Sequence, residues 1–253
     1  MNHPSLSIII TAMNEEGNLE PAVKMTLDIV RPRFDDYELI IINDGSRDKT
    51  GEIADTLVAA DPAHILVHHN ETNKGLDYSY RKGVELASKQ YVGWVAGNNL
   101  NPRQGLEDTF DAIGLADIVL PYVVTDVRGL SRRIISRTVV KTLNLLFGLR
   151  VKYYTGPCVY RSVDIKNVKV TCQGSIALAE ILIRLIKSGR TYVEVGLNTK
   201  KRTVGKSKTF RFKNFVYVGR AIAGLFWEIQ IAGWFRKKDD QVQAGLETDQ
   251  ILS

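Results

Sequence analysis

Five short runs of apolar and β-branched residues, at 7–12, 37–42, 65–69, 91–96 and 118–122, recur through the first half of the chain with a helix-length stretch between each pair. Each run has the length of a buried strand rather than a helix. The intervening stretches, roughly 18–30, 49–60, 76–88 and 104–113, are bounded by Gly, Pro and Asp clusters and read as helices. This rhythm leaves few folds open. Successive right-handed βαβ units build a mostly parallel sheet with helices on both faces, an α/β architecture. Ligands of such sheets bind beyond the carboxyl ends of the strands, where the strand order reverses, so functional residues are expected just after the strands.

The size agrees with one such domain. A chain of 253 residues, 44% hydrophobic and 25% charged, buries one sizeable core and lacks the bias of a disordered, collagenous or membrane-bundle sequence. Its net charge of +6 attracts phosphate-bearing partners without choosing among nucleotides, lipids and nucleic acid. No RRM, KH or zinc-finger signature supports nucleic acid. Cys158 and Cys172 form no CxxC and stand beside no paired histidines, which argues for buried free thiols rather than a disulfide framework or zinc site. The apolar run at 6–10 is too short for a signal peptide core or a membrane span, giving the expectation of a cytoplasmic protein.

Polar loops follow the strands as expected. The first is Thr11-Ala12-Met13-Asn14-Glu15-Glu16-Gly17; the second is Asn43-Asp44-Gly45-Ser46-Arg47-Asp48-Lys49-Thr50. Asp44 and Ser46 suit base or ribose edges, Gly45 permits a tight turn, and Asp48 suits the N-terminus of the next helix. Asn73-Lys74-Gly75 then opens a helix carrying Tyr78, Arg81 and Gly83, placing amides and a cation where a phosphate would sit. An ordinary turn or a solvated helix start is the plain alternative for each loop taken singly.

Taken in order, these elements resemble the donor half of family 2 glycosyltransferases, and within them the dolichyl- or polyprenyl-phosphate sugar synthases. The likeness continues through Arg132 and Ser136, Gly148-Leu149-Arg150 before Gly156, Glu180, Glu194-Val195, and Arg202 followed by Gly205-Lys206-Ser207-Lys208, covering roughly residues 5–212. The resemblance implies a GT-A fold, Rossmann-like. It further implies that Thr11, Ala12, Met13, Asn14, Glu15, Asn43, Asp44, Lys74, Gly75, Gly97, Asn98 and Asn99 line a nucleotide-sugar site. Arg132, Ser136, Arg202 and Lys208 are then the candidates for catalytic work.

Three departures bear on chemistry. Thr11 stands where the family usually has Pro, and Asn43 where it often has Asp, so the base contact is retuned. After the fourth strand the family's Asp-x-Asp element is replaced by Gly97-Asn98-Asn99-Leu100-Asn101-Pro102. Mg²⁺ and Mn²⁺ favour charged oxygen ligands, which neutral amides do not supply. Three readings follow: a metal held weakly by Asn99, Asn101 and the donor diphosphate; cationic side chains in place of a metal; or lost catalysis.

On the acceptor side, Tyr153-Tyr154-Thr155-Gly156-Pro157-Cys158 carries no acid where many relatives place an Asp. A sugar hydroxyl needs a base to remove its proton, whereas a phosphate with a second pKa of ~6 is already ionised at neutral pH. The absence fits a polyprenyl phosphate acceptor and equally an inactive protein. Glu180 is the remaining carboxylate to consider, although its apolar helical setting suits a core ion pair. Arg202-Thr203-Val204-Gly205-Lys206-Ser207-Lys208 suits a loop folding over a diphosphate or lipid phosphate.

The residues therefore divide into a glycosyltransferase domain at 1–212, an amphipathic helical segment at 213–238 and a polar tail at 239–253. The segment is too interrupted to span a bilayer and suits equally a membrane surface or packing against the catalytic domain or a second subunit. The functional expectation is an inverting transferase that moves a sugar from a UDP- or GDP-sugar to a polyprenyl phosphate or other membrane-proximal acceptor. It would act peripherally at the cytoplasmic face in cell-envelope polysaccharide synthesis. The alternative is a metal-independent or catalytically impaired nucleotide-sugar binder, a regulatory subunit.

Overall fold

The computed structural model describes residues 4–125, 130–198 and 213–232. Its centre is a seven-stranded sheet in the order β3-β2-β1-β4-β6-β5-β7, formed by β1 (Leu6–Ala12), β2 (Tyr37–Asp44), β3 (Ile65–Asn70), β4 (Tyr91–Ala96), β5 (Ile118–Thr125), β6 (Val159–Arg161) and β7 (Tyr192–Asn198). β6 runs antiparallel to both β4 and β5, and every other pair is parallel.

The strand sequences explain their burial. Ile8, Ile9 and Ile10 of β1 are all fully buried, as are Leu39 to Ile42 of β2, the continuous apolar pattern of strands covered on both faces. Burying each such side chain stabilises the fold by about 1.5–3 kcal/mol. On one face, Leu6, Ile8 and Ile10 join a cluster with Leu19, Val23, Leu27 and Val30 of α1 (Leu19–Val30), Ala54 of α2 (Thr50–Ala60), and Leu106 and Phe110 of α4 (Arg103–Asp111). Ile9 points the other way, against α3 (Leu76–Leu86), as the period of two along a strand requires. α3 in turn packs on α6 (Ser162–Lys166) and α7 (Ser175–Lys187).

The contacts divide the chain into two compact units. One holds Met1–Arg137 with Lys152–Lys206, including the sheet. The other holds Thr138–Val151 with Ser207–Ser253. α5 (Leu130–Phe147) begins in the first unit and ends in the second. Within the second unit, α8 (Lys213–Phe226) continues into a π-helical stretch, Trp227–Ala232. Here Phe226 meets Phe147 edge to face, Gln230 donates to the Leu146 carbonyl at 3.1 Å, and Trp227 stays 66% exposed. No described helix is long and apolar enough to cross a membrane. The tail at 239–253 lies outside the described residues.

Candidate nucleotide-sugar site

Strands β2, β1 and β4 are parallel neighbours, and the order reverses between β1 and β4, so the loops after them meet at one edge of the sheet. The loop after β1 is tied to the loop after β2. The Asn14 amide donates to Ser46 Oγ at 3.0 Å, and Asn14 Oδ1 accepts the Arg47 amide at 2.8 Å. Asn14 sits at φ 54°, a conformation Asn tolerates better than most residues. The Glu15 amide donates to Thr50 Oγ1 at 2.8 Å, while that hydroxyl donates to Asp48 Oδ1. Asp48 also accepts the Thr50 amide at 3.0 Å and the Glu16 amide at 3.3 Å, so it serves the start of α2 and both loops. Burial opposes its ionisation, but the Thr50 hydroxyl and these amides outweigh it and hold the carboxyl below its ordinary value.

Asp44 plays the same part toward the loop after β3. It is 5% exposed, and its carboxylate accepts the Lys74 amide and the Asn70 side chain on Oδ1 and the Gly75 amide on Oδ2, each at 2.9 Å. A carboxylate offers about four acceptor positions, and these bonds take three of them. Gly45 lets the two loops close: its φ is +63°, and a Cβ there would stand 2.4 Å from the Asn73 nitrogen. Asn73 reaches Met13 of the first loop through its side-chain amide. Asn43, 6% exposed, donates from Nδ2 to His69 Nδ1 at 2.9 Å and accepts the Ser46 amide at 3.3 Å. His69 Nδ1 is then the acceptor, which leaves Nε2 to donate to Asp55 at 3.1 Å.

At the end of β4, Gly97 donates to the Thr11 carbonyl at 3.0 Å, and a Cβ on Gly97 would lie 2.9 Å from that oxygen. The Trp94 indole donates to Thr11 Oγ1 at 3.0 Å. Asn98 Oδ1 accepts the Leu100 amide at 3.2 Å, and Asn101 Oδ1 accepts the Ala96 amide at 3.3 Å. Asn99 occupies the left-handed region at φ 54°. Among the described residues no group of three His, Cys, Asp or Glu is placed to hold a metal. With two of three amide oxygens spent on backbone and no charged oxygen in the loop, these residues do not fit a resident divalent cation.

The expected nucleotide-binding residues are thus brought together, from Thr11, Ala12, Met13, Asn14 and Glu15 through Asn43, Asp44, Lys74 and Gly75 to Gly97, Asn98 and Asn99. Many of their polar ends hold loops to one another. Lys74 is differently placed: its Nζ lies 4.8 Å above the Tyr78 ring. Ser136 is half-buried in α5. One turn earlier Arg133 presents a buried Nε with no hydrogen-bond partner. Arg132 belongs to the same helix, with its side chain outside the described set, and Arg202 and Lys208 lie outside the described residues. Sequence reasoning passed over Asn70, His69 and Trp94. Asn70 and His69 carried a signal, a polar pair closing an apolar strand.

Glu180 is fully buried in α7, accepts the Thr171 amide, the Thr171 hydroxyl and the Cys172 amide at 3.0, 2.9 and 2.7 Å, and pairs with Arg184 at 2.8 Å. Burial opposes its charge, yet the Cys172 amide, Arg184 and Thr171 together keep its pKa below the ordinary value. The core ion pair is the role the structure gives it. Glu194 accepts the Lys152 amide at 2.8 Å and pairs with Lys152 Nζ at 3.2 Å.

A mostly parallel sheet of this order, with its polar loops gathered at the switch point, is the GT-A class of α/β proteins. The sequence profile of glycosyl transferase family 2 matches residues 7–160. The chain belongs to that family. It is 28% identical over 214 residues to an undecaprenyl-phosphate mannosyltransferase of Micrococcus luteus, covering 79% of this chain and 85% of that one. It is 25% identical to a polyprenol monophosphomannose synthase of Mycolicibacterium smegmatis, covering 79% of each. An uncharacterized glycosyltransferase, EpsJ of Bacillus subtilis, is 35% identical over 97 residues, 38% of this chain and only 26% of that protein. In fold, the chain resembles glucosyl-3-phosphoglycerate synthase from Mycobacterium tuberculosis, solved with Mn²⁺, uridine diphosphate and phosphoglyceric acid. The TM-score is 0.65 at 14% identity, over 89% of this chain and 78% of that one.

Proposed function

We propose that the protein passes a sugar from a UDP- or GDP-sugar to a polyprenyl phosphate, with inversion at the anomeric carbon. The observation that carries this reading is the occupation of the carboxylates on the converging loops, from which Asp77, buried in the first turn of α3, stands apart. Asp44 holds the Lys74 and Gly75 amides, Asp48 holds Thr50, Glu16 accepts the Lys49 amide and Glu15 accepts from Asn18. Glu180 and Glu194 are committed to Arg184 and Lys152. A hydroxyl acceptor would need one of them as base; an ionised phosphate acceptor needs none. Relatives named for transfer to undecaprenyl phosphate and for polyprenol monophosphomannose synthesis support the same acceptor class.

In the proposed reaction an acceptor phosphate oxygen forms a bond to the anomeric carbon as the bond from that carbon to the donor's β-phosphate oxygen breaks. The nucleoside diphosphate leaves from the opposite face. Lys74 and Arg133 supply cationic stabilisation to the leaving diphosphate, with Arg132, Arg202 and Lys208 assigned the same work and Ser136 assigned to position the acceptor. Asn99 and Asn101 do not fit a resident divalent cation, and no step here depends on one. The Trp227 side chain, 66% exposed at the start of the π-helical stretch after α8, supports assigning the 213–238 segment to a membrane surface at the cytoplasmic face.

The test is turnover. Purified protein with radiolabelled UDP- and GDP-sugars and a short polyprenyl phosphate, with and without Mn²⁺, should carry label into the organic phase. Nucleotide binding without transfer from any donor would overturn catalysis and favour the second reading, a nucleotide-sugar-binding regulatory subunit, to which the carboxylate-free Gly97–Asn101 loop also points.

A further inference from the structure

β5 lies antiparallel to β6, which lies antiparallel to β4, so β5 runs with β4 and β1 and its carboxyl end is at the edge of the sheet that carries the site. Around that end, three apolar side chains are open to solvent. Val124 near the end of β5 is 60% exposed, and Leu130 and Ile134 in the first turns of α5 are 69% and 55% exposed. Leu130 and Ile134 are four residues apart, so they share one helix face, and the exposed Arg137 continues the row at seven residues from Leu130. A lone exposed leucine needs no explanation, whereas an apolar row at the mouth of a site does.

The sequence around the row is strongly cationic, with Asp126 its one carboxylate. No Asp or Glu occurs between Asp126 and Asp164, while Arg128, Arg132, Arg133, Arg137 and Lys141 all fall in the first half of that stretch. A helix face kept for water alone mixes both signs, and a face for a protein partner is depleted of uniform charge at its centre. An apolar row in a stretch where five cations outnumber one carboxylate is complementary to an anionic lipid layer, into which leucine and isoleucine sink while arginine reaches the phosphates.

We propose that Val124, Leu130 and Ile134, with Arg137, form a docking surface for an anionic bilayer, seated so that a lipid-borne phosphate arrives at the edge of the sheet where the donor loops converge. The surface deepens the polyprenyl phosphate reading and rests on it only for its purpose. Docking is measurable with neither donor nor acceptor present.

The experiment is co-sedimentation of the full chain with vesicles of phosphatidylcholine alone and of phosphatidylcholine with phosphatidylglycerol. The native chain should bind the anionic vesicles and release them as salt rises. The double variant Leu130→Asp, Ile134→Asp should lower partition by on the order of tenfold, and Arg137→Glu should lower it several-fold. UDP or GDP affinity by calorimetry should be unchanged in both. Leu130→Gln, Ile134→Gln serves if the aspartates prevent folding. Vesicle binding that is absent in the native chain, or equal in native and variant chains, overturns the proposal. So does a native dimer that the double variant dissolves, which would make the face a contact between two copies. Failure of sugar transfer with vesicle binding intact would remove the catalytic reading and leave the docking surface standing.

Discussion

Asp44 Oδ2 accepts the Gly75 amide at 2.9 Å, joining the end of β2 to the start of α3 across 31 residues of chain. Together with the Lys74 amide on Oδ1, this bond makes a buried carboxylate the anchor of the loop that follows β3. The loop's own geometry depends on it, since Gly75 sits at φ +93° and is held there from outside the helix it precedes.

Asp44→Ala is therefore expected to cost about 3 kcal/mol or more, because hydrogen bonds to a charged acceptor contribute about 1.5–3 kcal/mol each and their buried donors would lose their partner. Asp44→Asn should recover part of that loss, since one amide oxygen remains while the NH₂ group faces another donor. Denaturant unfolding measures the stability, and calorimetry with UDP and GDP should show weaker binding in both. An alanine variant as stable as the native chain would remove Asp44 from its anchoring role.

The donor half was legible because its signals are local. Residues 7–12, 37–42, 65–69, 91–96 and 118–122 declare strands by apolar runs, and β1 to β5 contain them with their ends moved by no more than a few residues. β6 escaped because three residues, Val159 to Arg161, carry no periodicity, and their place between β4 and β5 is decided by pairing distant in sequence. β7 was hidden in a different way. Its Tyr192 to Gly196 are half-buried, so the run lacks the continuous apolar pattern, and Glu194 stood out as part of a motif. In the site, Asn43 and Asp44 were visible as strand-end polar residues, but sequence alone assigns such groups to ligand. Their partners, His69, Asn70 and the amides of Lys74 and Gly75, become neighbours only when β3 pairs with β2.

Glu180 and Arg184 form the second test. Glu180→Ala should destabilise the protein by about 3–5 kcal/mol, the cost of leaving one member of a buried pair alone. Glu180→Gln should cost less at neutral pH, and its deficit depends on pH with a defined sign. The folded-state pKa lies below the ordinary 4.5, so the stabilisation is present above the unfolded value and disappears as pH falls through the folded one. The gap in melting temperature between native and Gln chains should narrow as pH drops below that value. A gap that widens on acidification would contradict the ionised assignment.

Asp117 offers the same logic outside the site. The Thr191 amide and hydroxyl and the Arg161 guanidinium hold its pKa down to about 2, against 3.8 for the free side chain. Its contribution is complete above 3.8 and is lost between that value and about 2. Asp117→Asn should lower the melting temperature at pH 6, and the difference from the native chain should close by pH 2. Equal melting temperatures at pH 6 would show that the bridge from Asp117 to Thr191 contributes nothing to stability.

The loop after β4 allows its chemistry to be reversed. Asn98 and Asn101 use their oxygens on the Leu100 and Ala96 amides, so a carboxylate at either position would disturb the turn, whereas Asn99 stands at φ 54°, which aspartate also tolerates. Asn99→Asp supplies the charged oxygen that hard cations require without removing a backbone bond. UDP affinity, measured with Mn²⁺ and then with EDTA, is expected to change by less than about twofold in the native chain and by on the order of tenfold in the variant, a difference of about 1.4 kcal/mol in binding. The new carboxylate would then supply manganese with the charged oxygen that the native loop lacks. If the native chain already loses tenfold in EDTA, neutral amides and the diphosphate are holding a cation without any carboxylate, and the assignment of the leaving-group charge to Lys74 and the arginines fails.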